Sequence, residues 1–144
     1  MFPALYHAHH SPYKEDLPLW LDLARQQGSP ILELGCGTGR VLLPLAKAGF
    51  HTVGLDNDLG MLLILRAMQT PDLEPAPLLF AANLLEFHLA QRFSLVLLPC
   101  NTWSVLDASQ RRQALACITH HMAPGGVFAA SMPNPEFLRD LPTS

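Results

Sequence analysis

The stretch Ile31-Leu32-Glu33-Leu34-Gly35-Cys36-Gly37-Thr38-Gly39-Arg40 decides the fold class of this 144-residue chain. Its first four residues form a short apolar run that predicts a buried strand, and three glycines follow at alternate positions. Glycine lacks a Cβ, so it accepts positive φ and lets the backbone approach a ligand closely. Such a loop beneath a helix N-terminus presents N–H donors to a polar or negative group. Tight turns also need glycine, so the loop alone leaves a purely structural role open.

Strands and helices alternate along the whole chain. The predicted strands are Ile31–Leu34, His51–Asp56, Leu78–Ala82, Phe93–Pro99 and, after a turn at Pro124–Gly126, Val127–Ser131. The predicted helices are Lys14–Gln27, Arg40–Ala48, one capped by Asp58, and one from the capping box of Asp107 and Gln110 to about Met122. Continuously apolar strands indicate a parallel sheet with helices on both faces. We therefore predict a Rossmann-like, doubly wound α/β domain over residues 1–144, with five parallel strands and a helical N-terminal cap over about 1–28.

Composition excludes several function classes. The net charge of −3 gives no electrostatic case for nucleic acid or an anionic membrane, and no apolar run is long enough to span a bilayer. Three cysteines without paired spacing and no secretion signal are typical of reduced thiols in the cytoplasm. His7, His9 and His10 cluster near the start, but no zinc-site spacing occurs, so we expect no metal.

An acid after the second strand changes the interpretation of the glycine loop. Asp56 follows Gly35 by 21 positions, close to the ~20 expected for a carboxylate that binds ribose hydroxyls. Its alternative role as a helix cap is better filled by Asp58. Together, the loop and the acid favour a nucleoside ligand.

The glycine spacing then separates two ligand classes. The dinucleotide pattern G-x-G-x-x-G suits a pyrophosphate, whereas this loop reads G-x-G-x-G with Glu33 two residues before it. An acidic side chain there would repel a pyrophosphate and would suit a cationic ligand that bears an amino group. S-adenosylmethionine is such a ligand, and the same features argue against the alternative of a nicotinamide-dependent oxidoreductase.

Four segments carry a resemblance to a known family. ILELGCGTGRVLLPLAKAG resembles the first motif of class I S-adenosylmethionine-dependent methyltransferases, and VGLDNDLGML is similar to their second motif. LVLLPCNTWSVL and MAPGGVFAASMPNP resemble the segments around their fourth and fifth strands. The similarity spans roughly Tyr6 to Pro135 and is closest to the branch that methylates small molecules.

The resemblance implies a role for each matched residue. Glu33, Gly35, Gly37 and Gly39 would cradle the methionine moiety, Asp56 would bind the ribose, and Asn57 and Met61 would lie along the adenine. The remaining implied contacts are Cys36 in the loop, the backbone N–H of Leu84, and Pro99 and Cys100 beneath the sulfonium. Asn83 replaces the usual aspartate, and its amide oxygen would accept from the adenine amino group. Ser94 and Ser131 replace two further aspartates at strand edges.

The reactive end is less well defined than the cofactor end. Tyr6, Tyr13, Asn101 and Trp103 could close over it, although Trp103 fits an ordinary core position equally well. Cys100 has no evident base beside it, so a nucleophilic role is disfavoured. Methyl transfer is a direct displacement that depends mainly on alignment and exclusion of water, and we assign no catalytic residue.

The resemblance also implies two further strands after the fifth, and we expect this sequence to lack them. Val127–Ser131 would then be a free apolar edge, and such edges favour association. We therefore expect homo-oligomers joined through this edge or through the C-terminal tail. Two functions stay open: a methyltransferase acting on a small-molecule acceptor, and a truncated or degenerate domain that binds the cofactor without turnover.

Overall fold

The computed structural model describes residues 14–134 together with Leu5, Ala8, Glu136 and Arg139. Five parallel strands lie side by side in the order β3-β2-β1-β4-β5. Their bounds are Ile31–Leu34 for β1, Thr52–Asp56 for β2, Leu78–Ala81 for β3, Phe93–Leu98 for β4 and Met122–Ala130 for β5. The predicted fold class is confirmed, since the sheet is fully parallel and helices flank it.

Within residues 14–134, four helices connect or precede the strands. They are α1 (Leu17–Gln27), α2 (Leu42–Lys47), α3 (Leu59–Met68) and α4 (Ala108–His120), and a 3-10 turn spans Thr102–Val105. The side chain of Asp58 accepts from the N–H groups of Gly60 and Met61, so the predicted cap of α3 is confirmed. The capping box that begins α4 is also present. Helix α1 begins three residues later than predicted, with a proline in its first turn, where the missing N–H costs little.

The start of β5 differs from the prediction. The chain makes no separate turn at Pro124–Gly126; this segment lies within β5, which begins at Met122. Phe93 of β4 pairs with Met122, but Leu95 pairs with Val127, so the extra residues form an irregularity in the ladder. A Cβ on Gly126 would lie 2.9 Å from the carbonyl oxygens of both Ala123 and Phe93. Glycine is therefore needed at position 126 because the backbone of β4 and of β5 itself approaches it closely.

Each face of the sheet has its own apolar core, because successive side chains of a strand point to opposite faces. On one face, Trp20 and Ala24 of α1 pack against Ile31 and its neighbours in β4. Beside them, α2 and α3 bury a second cluster that includes Leu65. On the other face, Ile118 of α4 packs in a third cluster with buried side chains of β1, β2 and β4, among them Leu32 and Val96.

The two edges of the sheet are covered differently. β5 is half-buried along most of its length. β3 exposes Leu78 and Phe80, and residues 82–92 between β3 and β4, all of which the structure describes, form no helix. In the part of the chain that the structure describes, no helix is both long and apolar enough to cross a bilayer.

The strand order places a crevice above β1. β1 lies between β2 and β4, so the chain leaves the centre of the sheet first to one side and later to the other. In open α/β sheets, ligands bind at this switch point, outside the carboxyl ends of the strands.

Candidate functional site

A cavity of about 490 Å³ lies at the carboxyl ends of β1, β2 and β3, next to the 3-10 turn and the start of α4. It brings together seven of the residues predicted to bind the cofactor: Gly35, Gly37, Asp56, Asn57, Met61, Asn83 and Leu84. Residues from three strand ends thus converge on one space, as the predicted topology requires.

Asp56 ties the glycine loop to the beginning of α3. Its Oδ2 accepts the N–H of Gly37 at 2.8 Å, and its Oδ1 accepts the N–H of Asp58 at 2.9 Å. The side chain is 9% exposed and lines the cavity. A carboxylate has about four acceptor positions, so each oxygen can still accept a hydrogen bond from a ligand. The backbone bonds hold the carboxylate in place before any ligand arrives.

Two of the three glycines in the loop, Gly37 and Gly39, have different roles. Gly37 has φ 53° and directs its N–H at Asp56 while lining the cavity. Gly39 has φ 88° and is buried outside the cavity lining. A Cβ on Gly39 would overlap the side chain of Leu65 and lie 3.1 Å from Cγ of Leu43. In this structure Gly39 therefore serves the packing of α2 against α3.

Glu33 lies behind the loop on the β1 strand and is 2% exposed. Within the described residues, its Oε2 has no hydrogen-bond partner. Burial raises the pKa of the Glu33 carboxyl well above its ordinary value of 4.5, although Arg40 opposes this rise and Asp56 adds to it. A buried acceptor without a partner is costly, and Glu33 lines neither the larger cavity nor the one that contains Cys100.

A second cavity of about 380 Å³ contains Cys100 and is lined by residues from three loops and the start of α1: Asp16, Arg40, Cys100, Asn101, Ser131, Met132 and Pro133. Arg40 binds both carboxylate oxygens of Asp16, one of them through Nη2 at 3.0 Å, and its Nη2 lies 3.2 Å from Sγ of Cys100. Burial alone would raise the pKa of Asp16, but hydrogen bonds from Arg40 and Trp20 hold it below its ordinary value. The ion pair fastens α1 to the glycine loop.

The remaining predicted residues lie away from the main cavity. Pro99 is buried at the end of β4, and Cys36 is buried with its thiol against Gly54. Burial raises the pKa of the Cys36 thiol, which keeps it protonated. Cys100 and Asn101 both adopt left-handed φ, 65° and 60°. Such backbone is uncommon for these residues and concentrates at functional sites.

The residues proposed to close the reactive end fall into two groups. Tyr6 and Tyr13 lie outside the described residues. Trp103 packs edge-on against Phe128, with ring centroids 5.7 Å apart, and the Arg111 guanidinium lies 5.8 Å from its ring centroid. Trp103 therefore occupies a packing position beside the cavity. Across the described ranges, no three His, Cys, Asp or Glu side chains are grouped so that they could hold a metal ion.

Sequence reasoning missed part of the cavity wall: Asp58, Ala82, Leu85, Thr102, Leu106 and Gln110. Gln110 was recognised only as a capping residue, although the same position faces the cavity. Asn83 makes a hydrogen bond within its own turn and keeps a second lone pair on the same oxygen. Its Oδ1, expected to meet an adenine amino group, already accepts the N–H of Leu85 at 3.0 Å.

Comparison with known proteins gives a consistent result. The family described as "Methyltransferase domain" matches residues 31–126. A protein of Geobacillus sp. (strain WCH70), named as a candidate methyltransferase, is 32% identical over 107 residues, which are 72% of this chain and 42% of that protein.

Solved structures show the same similarity. The glycopeptide N-methyltransferase MtfA, complexed with S-adenosylhomocysteine, superposes with a TM-score of 0.71 and 27% identity over 82% of this chain and 52% of its own. CalS10 of Micromonospora echinaspora, an amino pentose methyltransferase with S-adenosylmethionine bound, gives 0.74 and 27% over 92% of this chain and 58% of its own. The chain thus spans about half the length of these relatives.

Proposed function

Since the chain belongs to the methyltransferase-domain family, we propose that it binds S-adenosylmethionine in the larger cavity and takes part in methyl transfer to a small molecule. The observation that carries this proposal is the placement of Asp56. One buried carboxylate holds the glycine loop and the start of α3, and keeps lone pairs for a ligand at the strand ends. MtfA in complex with S-adenosylhomocysteine and CalS10 with bound S-adenosylmethionine support the choice of ligand.

The described residues fit the cofactor chemically. Asp56 would accept from the ribose hydroxyls, and Met61 and Asn57 would lie along the base. Glu33 would place its unpartnered oxygen near the ammonium of the methionine moiety. Gly35, with φ 63°, would allow that moiety to approach the backbone. The bound cofactor would supply the methyl group that is transferred.

The chain's own contribution to transfer is alignment. Methyl transfer is a displacement in which acceptor atom, methyl group and sulfur lie in line, so rigid positioning lowers the barrier. The ion pair of Arg40 with Asp16 holds α1 over the glycine loop. The bond from the backbone N–H of Asn101 to Oγ of Ser131, at 3.1 Å, joins the loops after β4 and β5. These contacts would fix the walls between the two cavities, where an acceptor would meet the cofactor.

Isothermal titration calorimetry with S-adenosylhomocysteine tests the cofactor assignment. We expect saturable binding to one site per chain, with a negative heat-capacity change because apolar surface is buried. ATP and NAD serve as matched controls, since both present an adenosine attached to phosphates. A folded chain that binds neither S-adenosylhomocysteine nor S-adenosylmethionine would remove the proposal.

Turnover is a separate question from binding. The named acceptors of two relatives are a glycopeptide and an amino pentose, and small amines and amino sugars are therefore the first acceptors to test. Binding without turnover against such a panel would favour the second function, a cofactor-binding domain that does not itself catalyse transfer.

The three cysteines are free, which supports a reducing compartment. We therefore propose that the protein is located in the cytoplasm.

We further propose that the chain self-associates through the edge of β5 or through the C-terminal tail, most of which lies outside the described residues. Edge strands pair readily with other chains. Light scattering at micromolar concentration is expected to show dimers or larger species. Phe80→Lys, on the opposite edge of the sheet, should leave that state unchanged. A monodisperse monomer would contradict the proposal. Loss of association in Phe80→Lys would also contradict it, because the contact would then lie at β3 and not at β5 or the tail.

A further inference from the structure

The segment 82–92 joins β3 to β4 without a helix, and its residues 82–85 line the larger cavity. Buried backbone N–H and C=O groups need hydrogen-bond partners, and a segment outside any helix finds few of them within itself. The carboxyl end of α4 supplies such partners. Sγ of Cys117 lies 3.4 Å from N and 3.3 Å from O of Phe87. The buried ring of Phe87 also stacks on His121, with centroids 4.4 Å apart. The end of α4 thus holds the segment that carries this part of the cavity wall.

His121 bonds through both of its ring nitrogens and is 2% exposed. Its Nδ1 lies 2.8 Å from the carbonyl oxygen of Cys117, and its Nε2 lies 3.0 Å from the backbone N of Leu89. A carbonyl oxygen only accepts and a backbone N–H only donates, so Nδ1 carries the hydrogen and Nε2 accepts. These two bonds admit a single form of the ring, the neutral Nδ1–H tautomer.

A protonated ring cannot keep both bonds. With a hydrogen on Nε2, the ring would turn a second donor toward the N–H of Leu89, and a buried donor that loses its acceptor is costly. The carboxyl end of a helix favours a cation, but the neutral His121 ring already donates to the helix carbonyl there. Uptake of a proton therefore gains little at α4 and breaks the bond to the segment 82–92.

The titratable and charged groups around the His121 ring add to this cost. The rings of His120 in α4 and His88 in the segment have their centroids 5.2 and 6.0 Å from it. Arg92, at the end of the segment, donates to the first carbonyl of β5 at 3.3 Å. The thiol of Cys117 is engaged with the segment. In the part of the chain that the structure describes, no carboxylate is bonded to the ring, so nothing there compensates a positive charge on it.

We infer that His121 is a positioning residue for the wall of the larger cavity, and that uptake of a proton by its ring releases the segment 82–92 from α4. The unfolded chain takes up this proton without losing a bond. The contribution of His121 to stability is therefore present at neutral pH and lost as the pH falls through the range in which histidines are protonated. Weaker binding of S-adenosylhomocysteine in acid is the consequence for the cavity, and this part rests on the proposed function.

NMR spectroscopy and hydrogen exchange test the inference on the free chain. At about pH 7.5, proton–nitrogen correlation spectra of the imidazole groups should show the His121 hydrogen on Nδ1. Between about pH 7.5 and about pH 5.5, the protection factor of the Leu89 amide should fall about tenfold, because opening of the segment is linked to uptake of one proton. A hydrogen on Nε2 at the higher pH, or equal protection of Leu89 at both pH values, overturns the inference.

Two substitutions separate positioning by His121 from simple filling of space. His121→Gln keeps an oxygen for the N–H of Leu89 and cannot take up a proton, whereas His121→Leu removes the acceptor. We expect His121→Gln to protect Leu89 nearly as well as the wild type at neutral pH, without the fall in acid. His121→Leu should lose the protection at both pH values. His120→Gln, at an exposed neighbouring position, should keep the wild-type fall.

An equally large fall in His121→Gln would contradict the inference. If His121→Leu does not fold, the comparison of wild type with His121→Gln still tests it.

Calorimetry with S-adenosylhomocysteine tests the consequence for the cavity. Between the same two pH values, the wild type should lose about threefold more affinity than His121→Gln, because only the wild type releases the segment. A loss common to both proteins belongs to other groups, such as Glu33. If the folded chain binds no S-adenosylhomocysteine at either pH, the proposed function fails. If it binds and the two proteins lose affinity equally, the positioning role of His121 fails.

Discussion

Asp56→Asn is expected to weaken S-adenosylhomocysteine binding by about 100-fold. Hydrogen bonds to a charged group contribute about 1.5–3 kcal/mol each, and each 1.4 kcal/mol is a factor of ten in affinity. The substitution removes the charge, and the asparagine oxygen must still serve the N–H of Gly37 or of Asp58. The ribose hydroxyls would thus lose most of their acceptors, and calorimetry measures the loss directly.

Asp58→Asn is the matched control for this experiment. It lies two residues away, also lines the cavity, and asparagine caps a helix as well as aspartate does. We expect this variant to bind within a few-fold of the wild type, provided that circular dichroism shows both variants folded. If Asp58→Asn loses the affinity and Asp56→Asn keeps it, the ribose acid has been assigned to the wrong carboxylate.

Glu33→Gln is expected to have opposite effects on stability and on binding. Glu33 is buried, and burial raises the pKa of its carboxyl because the ionised form is poorly solvated. The amide removes the cost of that ionised form, so the free chain should gain about 1–3 kcal/mol at pH 8. The same change removes the acceptor charge proposed for the cofactor ammonium, so affinity should fall about tenfold or more.

The raised pKa of Glu33 determines how the stability of the chain and its affinity for the cofactor depend on pH. Unfolded Glu33 titrates near its ordinary value of 4.5, and folded Glu33 titrates well above it. Between these two values the folded chain holds more protons than the unfolded chain, so the Glu33 contribution to stability falls as pH rises. Well below pH 4.5 the Glu33 carboxyl is protonated in both the folded and the unfolded chain, so the difference in stability between the wild type and Glu33→Gln should decrease as the pH falls toward 4.5. Binding of a cation to ionised Glu33 releases a proton, so wild-type affinity should rise with pH.

Thermal unfolding of the two proteins from pH 4.5 to 8.5 measures the stability difference. Glu86→Gln, at an exposed position, controls for the loss of one negative charge. A difference between wild type and Glu33→Gln that is independent of pH would contradict a raised pKa at Glu33. A stabilised variant that binds S-adenosylhomocysteine as tightly as the wild type would remove Glu33 from the site.

Several features of the fold were predictable from local sequence. Apolar runs predicted all five strands, although β5 begins earlier than expected. The central strands β1, β2 and β4 are buried on both faces and therefore need apolar side chains throughout. Asp58 and Asp107 predicted helix starts correctly, since capping is a contact between a side chain and N–H groups two or three residues away. The segment Pro124–Gly126 was misassigned, because the same residues suit a turn and an irregular strand pairing.

The cavity wall was less predictable. The spacing of Asp56 from Gly35 correctly placed both at one cavity, because parallel strands bring their carboxyl ends to the same edge. Nothing local indicated that Gln110 faces this cavity, or that Cys100 lies in the second one beside Arg40. Those placements depend on how α4 and the loop after β4 pack across the sheet.

The sequence by itself determined the order of the strands and helices, the glycine loop and the acid that follows it, and hence the family resemblance. These features depend on contacts between near neighbours and on a periodicity that one segment contains. Only the tertiary structure decided that Glu33 is buried with an unpartnered oxygen and that Asn83 and Gln110 line the same cavity. Burial and the walls of a cavity are set by residues distant in sequence, which meet only when the sheet and helices are assembled.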